Sequence, residues 1–86
     1  MPADLLILNR SAKKQLNKLP LRIHEKVITA FDVIKNNPLR SGSKLSGELS
    51  DYHKFRIGDY RIVYKFDSKG SQVEIVKVER RGGVYR

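Results

Sequence analysis

Near the start of the chain, four consecutive apolar residues, Leu5-Leu6-Ile7-Leu8, read as a short strand buried on both faces that ends at Asn9. Helical spacing follows. Ser11 offers an N-cap for a helix through Leu16 to about Lys18, with Ala12, Leu16 and Leu19 turned inward. Pro20 closes that helix and opens a second from Leu21 to about Asn36. Its apolar stripe is Ile23, Val27, Phe31 and Ile34, widened by Ile28, Ala30 and Val33, and Asn36-Asn37-Pro38 ends it. These two segments form a helical hairpin with one apolar face.

Residues 38–51 carry a proline, two glycines, four serines and few apolar anchors, which reads as a surface loop. The period then changes to two. Tyr52 to Ile57 alternates, Gly58-Asp59 supplies a tight turn, and Tyr60 to Phe66 alternates back. A second turn spans Asp67 to Ser71, and Val73 to Val78, rich in β-branched residues, forms the last strand. The expected fold is α+β: an N-terminal strand and a helical hairpin packed on one face of a small, mainly antiparallel four-stranded sheet. Eighty-six residues build one hydrophobic core, so a single domain over residues 1–86 is expected.

The sheet's second face must then be polar. Period two places Tyr52, Lys54 and Arg56 on one side of their strand and His53, Phe55 and Ile57 on the other. Arg61, just past the turn, starts close to that cationic pair. If the last strand joins the hairpin, Arg80, Arg81 and Tyr85 leave the sheet nearby. His53 reads as structural, with His24 on a helix surface, while Tyr60 and Tyr64 share a side with Ile62 and Phe66 and read as packing residues.

Charge gives this pattern a direction. The net charge of +9 points to a polyanionic or acidic partner. Zero cysteines exclude a disulfide scaffold and a thiolate metal site, and two histidines without clustered carboxylates leave no zinc or two-metal site, so neither metal nor other cofactor is expected. The Leu5–Leu8 run is far shorter than a membrane span or a signal-peptide core, and a soluble, cytoplasmic protein is the expectation.

Cleaving RNA through its own ribose requires removal of the 2′-hydroxyl proton, stabilisation of charge on the phosphate, and neutralisation of the leaving oxygen. Beside this cation cluster the available bases are the phenols Tyr52, Tyr60, Tyr64 and Tyr85. A phenol titrates near ~10, and adjacent cations favour its phenolate. Lys54, Arg56 and Arg61 would serve that purpose while clamping the phosphate, with Arg40 and Lys44 of the loop as further RNA contacts. Solvated charge is the commoner fate of such loop residues. A site without a strong base is expected to turn over free RNA slowly and to need a large assembly to orient its substrate.

The ordered set of segments resembles the RelE/ParE superfamily of toxins from toxin–antitoxin pairs. Gly58-Asp59-Tyr60-Arg61-Ile62-Val63-Tyr64 resembles that family's central hairpin, Lys44-Leu45-Ser46-Gly47 its leucine-glycine lead-in, and Val76 to Arg86 its closing strand and arginine-arginine-to-valine-tyrosine ending. Resemblance to the RelE branch implies a metal-independent, ribosome-dependent endoribonuclease that cuts messenger RNA in the decoding site and leaves a 2′,3′-cyclic phosphate. It places Lys54 and Arg56 at the basic pair that holds the phosphate and supports the base, Arg61 at the arginine that stabilises transition-state charge, and Tyr85 at the C-terminal tyrosine. Either Arg80 or Arg81 takes the leaving-group role, because Gly82 and Gly83 stand where a single acidic residue is frequent. Glu79 occupies a position that is histidine in many relatives. The implied partners are a cognate antitoxin, the ribosome and mRNA. The alternative is a ParE-like toxin that binds and poisons DNA gyrase without chemistry.

Overall fold

The computed structural model describes residues 2–44 and 52–80. Strand β1, Leu5–Leu8, runs directly into helix α1, Arg10–Asn17. The cap is Asn9, whose side-chain oxygen accepts from the Ala12 amide at 2.8 Å, rather than Ser11. Asn9 keeps one foot in the sheet, because its own amide donates to the Ile75 carbonyl. Helix α2, Leu21–Asn36, begins after Pro20 and buries Val27, Ala30, Phe31 and Ile34. The stripe is narrower than its composition implies. Ile28 and Val33 lie on its flanks and are exposed.

Residues 38–44 correct the expectation of a loop. Pro38–Ser41 makes one helical turn, α3, and Ser43–Lys44 forms a two-residue strand, β2. β2 pairs antiparallel with β3, Tyr52–Ile57, which turns through Gly58-Asp59 into β4, Tyr60–Asp67, followed by β5, Gln72–Arg80. The sheet therefore has five strands, in the order β1-β5-β4-β3-β2, with β1 parallel to β5 and the other pairs antiparallel. Two residues are too few to show a period, so β2 left no side-chain signature. A second correction concerns β1, which is an edge strand covered on one side. Leu6 and Leu8 pack on the core, whereas Leu5 is 53% and Ile7 40% exposed.

Gly58 carries φ +54 in the tight turn, a conformation glycine adopts at no steric cost. Gly42 is required for a different reason. A Cβ there would stand 2.5 Å from the Lys54 carbonyl oxygen and 2.7 Å from the Tyr64 hydroxyl, so β2 could not lie this close to the sheet. Gly42→Ala is expected to cost about 1–3 kcal/mol, read as a lower urea midpoint, because the clash is partly with backbone that cannot rotate away.

The core lies between α1, α2 and one face of the sheet, where Ile62, Tyr64, Val73, Ile75 and Val78 are all buried. Strict alternation along β5 would put Val73 and Ile75 inward and Val78 outward. A register shift opposite Val63 and Tyr64 resolves this: Val63 pairs with Lys77 and Tyr64 with Ile75, leaving Val76 as the extra residue of a bulge. The bulge turns Val78 into the core and sends Lys77 and Glu79 to the other face. The Val78 amide also donates to Gln15 Oε1 of α1 at 2.9 Å, fixing helix to strand just beyond the bulge. No helix among the described residues is long and apolar enough to cross a membrane.

Candidate RNA-binding and catalytic face

Strand register assembles the site. Arg56 on β3 lies opposite Arg61 on β4, and Arg61 lies opposite Glu79 on β5, giving a row across three strands. The adjacent row is Lys54, Val63 and Lys77. Lys54, Arg56, Arg61 and Lys77 thus share one face of the sheet, and only two strand positions separate its two cationic rows. A third row, further along, pairs Tyr52 with Lys65, whose ammonium stands 5.3 Å from the centre of the tyrosine ring, within cation–π range.

One carboxylate enters the cationic rows. Arg61 Nε donates to Glu79 Oε2 at 2.6 Å, and Lys77 Nζ stands 3.4 Å from Oε1. Burial raises the proton affinity of Glu79, but the bond from Arg61 and the charges of Lys77 and Arg61 together outweigh that and hold its pKa below the ordinary carboxylate value. Glu79 is therefore ionised through the neutral range. Among the described residues, no group of three or more His, Cys, Asp or Glu converges as metal ligands would.

The remaining basic residues named from sequence distribute differently. Arg80 pairs with Tyr60 and shares the parity of Val78, so it emerges at the sheet's end on the helix side, away from Arg61. The reason is the bulge, which sets which residues of β5 face which way. Lys44 pairs with His53 and also takes the helix side, although it reaches an open cleft of about 610 Å³ along the β2–β3 edge that Lys54 and Arg56 line as well. Arg40 is exposed on α3. Arg81 and Tyr85 lie outside the described residues, as does the lead-in from Leu45 to Gly47. Lys77 and Glu79 join the face without having been among the residues expected there. The available signal was the phase break from Val73 and Ile75 to Val78.

Two buried aromatics underpin the face from behind. Tyr64 is fully buried, and its hydroxyl donates to the Pro38 carbonyl at 2.7 Å, tying β4 to α3. Burial pushes its phenol up to about 12 against a smaller pull from the Gly42 backbone, so Tyr64 is no base at neutral pH. His53 stacks on it with ring centres 5.2 Å apart and planes at 17°. It is 4% exposed, and its Nδ1 has no hydrogen-bond partner. Burial, and then the charge of Lys44, lower its pKa below 6.5.

The folded state binds the His53 proton less readily than the unfolded chain does, so stability falls as pH drops below about 6.5 and levels off beneath the folded pKa. Glu79 loses its contribution only in a separate, more acidic window below its ordinary value of 4.5. Urea midpoints measured between pH 8 and 5 are expected to decline for the wild type. In His53→Phe, which keeps an aromatic ring against Tyr64, they should stay nearly flat.

Comparison with known proteins places this architecture. Residues 6–85 match the family model described as the ParE toxin of the type II toxin–antitoxin system parDE. The chain is a member of this family. Within it the protein is RelE-like: it is 38% identical over 77 residues to toxin RelE and, equally, to toxin RelG of Mycobacterium tuberculosis, matches that cover 88% of this chain and 79% and 88% of those proteins. The crystal structure of the RelBE2 toxin–antitoxin complex from the same organism contains a chain that superposes with a TM-score of 0.84 at 34% identity, covering 94% of each chain. This RelE-like toxin thus shares its helix-on-sheet layers with known toxins of the class, and its cationic rows lie on the sheet face that the helices leave uncovered.

Proposed function

We propose that this RelE-like toxin is a metal-independent endoribonuclease that cuts mRNA in the decoding site of the ribosome, by attack of the 2′-hydroxyl on the adjacent phosphate. The observation that carries this reading is the register pairing of Arg56 with Arg61 beside Lys54. It concentrates three cations on a rigid sheet with no histidine on the same face. In the proposed mechanism Lys54 and Arg56 hold the scissile phosphate and favour the phenolate of Tyr85, which removes the 2′-proton. Arg61 stabilises charge on the non-bridging oxygens in the transition state. Arg80 is directed to the helix side, so we assign the leaving-group role to Arg81. An arginine holds its proton throughout the ordinary pH range and therefore acts chiefly by neutralising the departing oxygen.

A phenol is a weak base at neutral pH. Substrate positioning must then come from outside, and orientation of this kind is worth up to ~7–11 kcal/mol of barrier. The ribosome is the proposed source. A cognate antitoxin is the other proposed partner, supported by the antitoxin-bound state of the RelBE2 relative and by the +9 charge of this chain, which an acidic segment would complement. Gyrase poisoning is not favoured, because the curated relatives at 38% identity are RelE and RelG toxins. The reading is tested by incubating purified toxin with a bare RNA oligonucleotide and with the same sequence on programmed ribosomes. Slow cleavage of the first, fast cleavage of the second and 2′,3′-cyclic phosphate ends are expected, and rapid cutting of bare RNA would contradict it.

A further inference from the structure

Arg61 stands between unlike neighbours. Across one strand gap is Arg56, a like charge at a directly opposed position, and across the other is the carboxylate of Glu79. Repulsion from β3 and attraction from β5 act in the same direction on a long, flexible stem. The contact that results is side-on: Glu79 takes Nε at 2.6 Å, and among the described residues the terminal nitrogens of Arg61 have no protein partner. Lys77, two residues earlier on the same face of β5, steadies the second carboxylate oxygen. We propose that Glu79 is a positioning residue that sets the Arg61 guanidinium for the phosphate, with Lys77 holding Glu79 in turn. The proposal rests on the nuclease reading for the reaction it serves.

This role differs from that of a general base. A carboxylate that already accepts from an arginine and lies beside a lysine is a poor acceptor for a ribose proton, while its lowered pKa keeps it ionised and the arrangement intact across the neutral range. It also differs from a simple electrostatic role. Glu79 is an acidic group on a face that meets a polyanion, so it weakens RNA binding, and its presence needs an advantage elsewhere.

Three proteins separate these possibilities: the wild type, Glu79→Ala, and Glu79→Gln, which retains an oxygen acceptor for Nε but no charge. Both variants are expected to bind an RNA oligonucleotide about fivefold more tightly, since each removes one negative charge from the face. Turnover should split them. Glu79→Ala is expected to lose roughly 10²-fold in the rate of ribosomal mRNA cleavage, the scale of a misplaced catalytic group, whereas Glu79→Gln should recover most of it.

Equal loss of turnover in both variants, or weaker RNA binding in either, would overturn the proposal. The NMR signal of the Arg61 Nε–H decides the matter independently of activity. It should be sharp and slow to exchange in wild type and Glu79→Gln and lost to exchange in Glu79→Ala; identical signals in all three would also refute the role. If the wild type fails to cut mRNA on ribosomes, the nuclease reading fails, and this spectrum still shows whether Glu79 orders Arg61.

Discussion

Arg61→Ala is expected to slow mRNA cleavage on the ribosome by about 10²–10³-fold, the usual consequence of removing one preorganised donor to developing charge. The expectation follows from placement. Arg61 lies on β4, which is hydrogen-bonded on both sides by β3 and β5, so its stem starts from one of the most constrained backbones in the molecule. Its side chain is nevertheless 30% exposed, and the Glu79 carboxylate left behind is 28% exposed and still beside Lys77. Truncation is therefore expected to remove the proposed role without leaving a buried, unpaired charge. Single-turnover cleavage and a urea melt on the same preparation check both halves: the rate should collapse, and the midpoint should move little.

Ile75→Ala is expected to do the opposite, destabilising the fold by about 2–5 kcal/mol, a large share of the 5–15 kcal/mol typical of a domain. Ile75 is fully buried on β5, paired with Leu8 on one side and Tyr64 on the other, directly where the bulge begins. A cavity there would loosen the β1 contact and the register that points Lys77 and Glu79 outward. Ile7→Ala on the exposed side of β1 is the matched control and should cost less than about 1 kcal/mol. Equilibrium urea unfolding of the two variants measures the contrast.

These two residues also mark what the sequence made legible. The apolar spacing of Val27, Phe31 and Ile34 and the alternation on either side of Gly58-Asp59 located α2, β3 and β4, because a helix with one dry face and a half-buried hairpin each leave a strong period. The closeness of Arg61 to Lys54 and Arg56 followed from the two-residue turn, and its direct pairing with Arg56 is what the register adds. β2 was invisible for lack of length, and the exposed side of β1 was misread because an unbroken apolar run looks the same at an edge as in a centre. The bulge was the costliest omission. It alone decides that Arg80 faces the helices and that Glu79 faces Arg61, and its only trace in the sequence was an apolar triplet out of phase.

The proposed toxin activity is cleavage of mRNA by a cationic sheet face and a C-terminal phenol, with the ribosome orienting the substrate. Primer extension on a defined mRNA in a purified translation reaction tests it most directly, with wild type, Arg61→Ala and Tyr85→Phe, each with and without ribosomes. Breaks at decoding-site codons that require ribosomes and fade in both variants are expected. Intact mRNA in every lane, or cleavage indifferent to Arg61 and Tyr85, would contradict it.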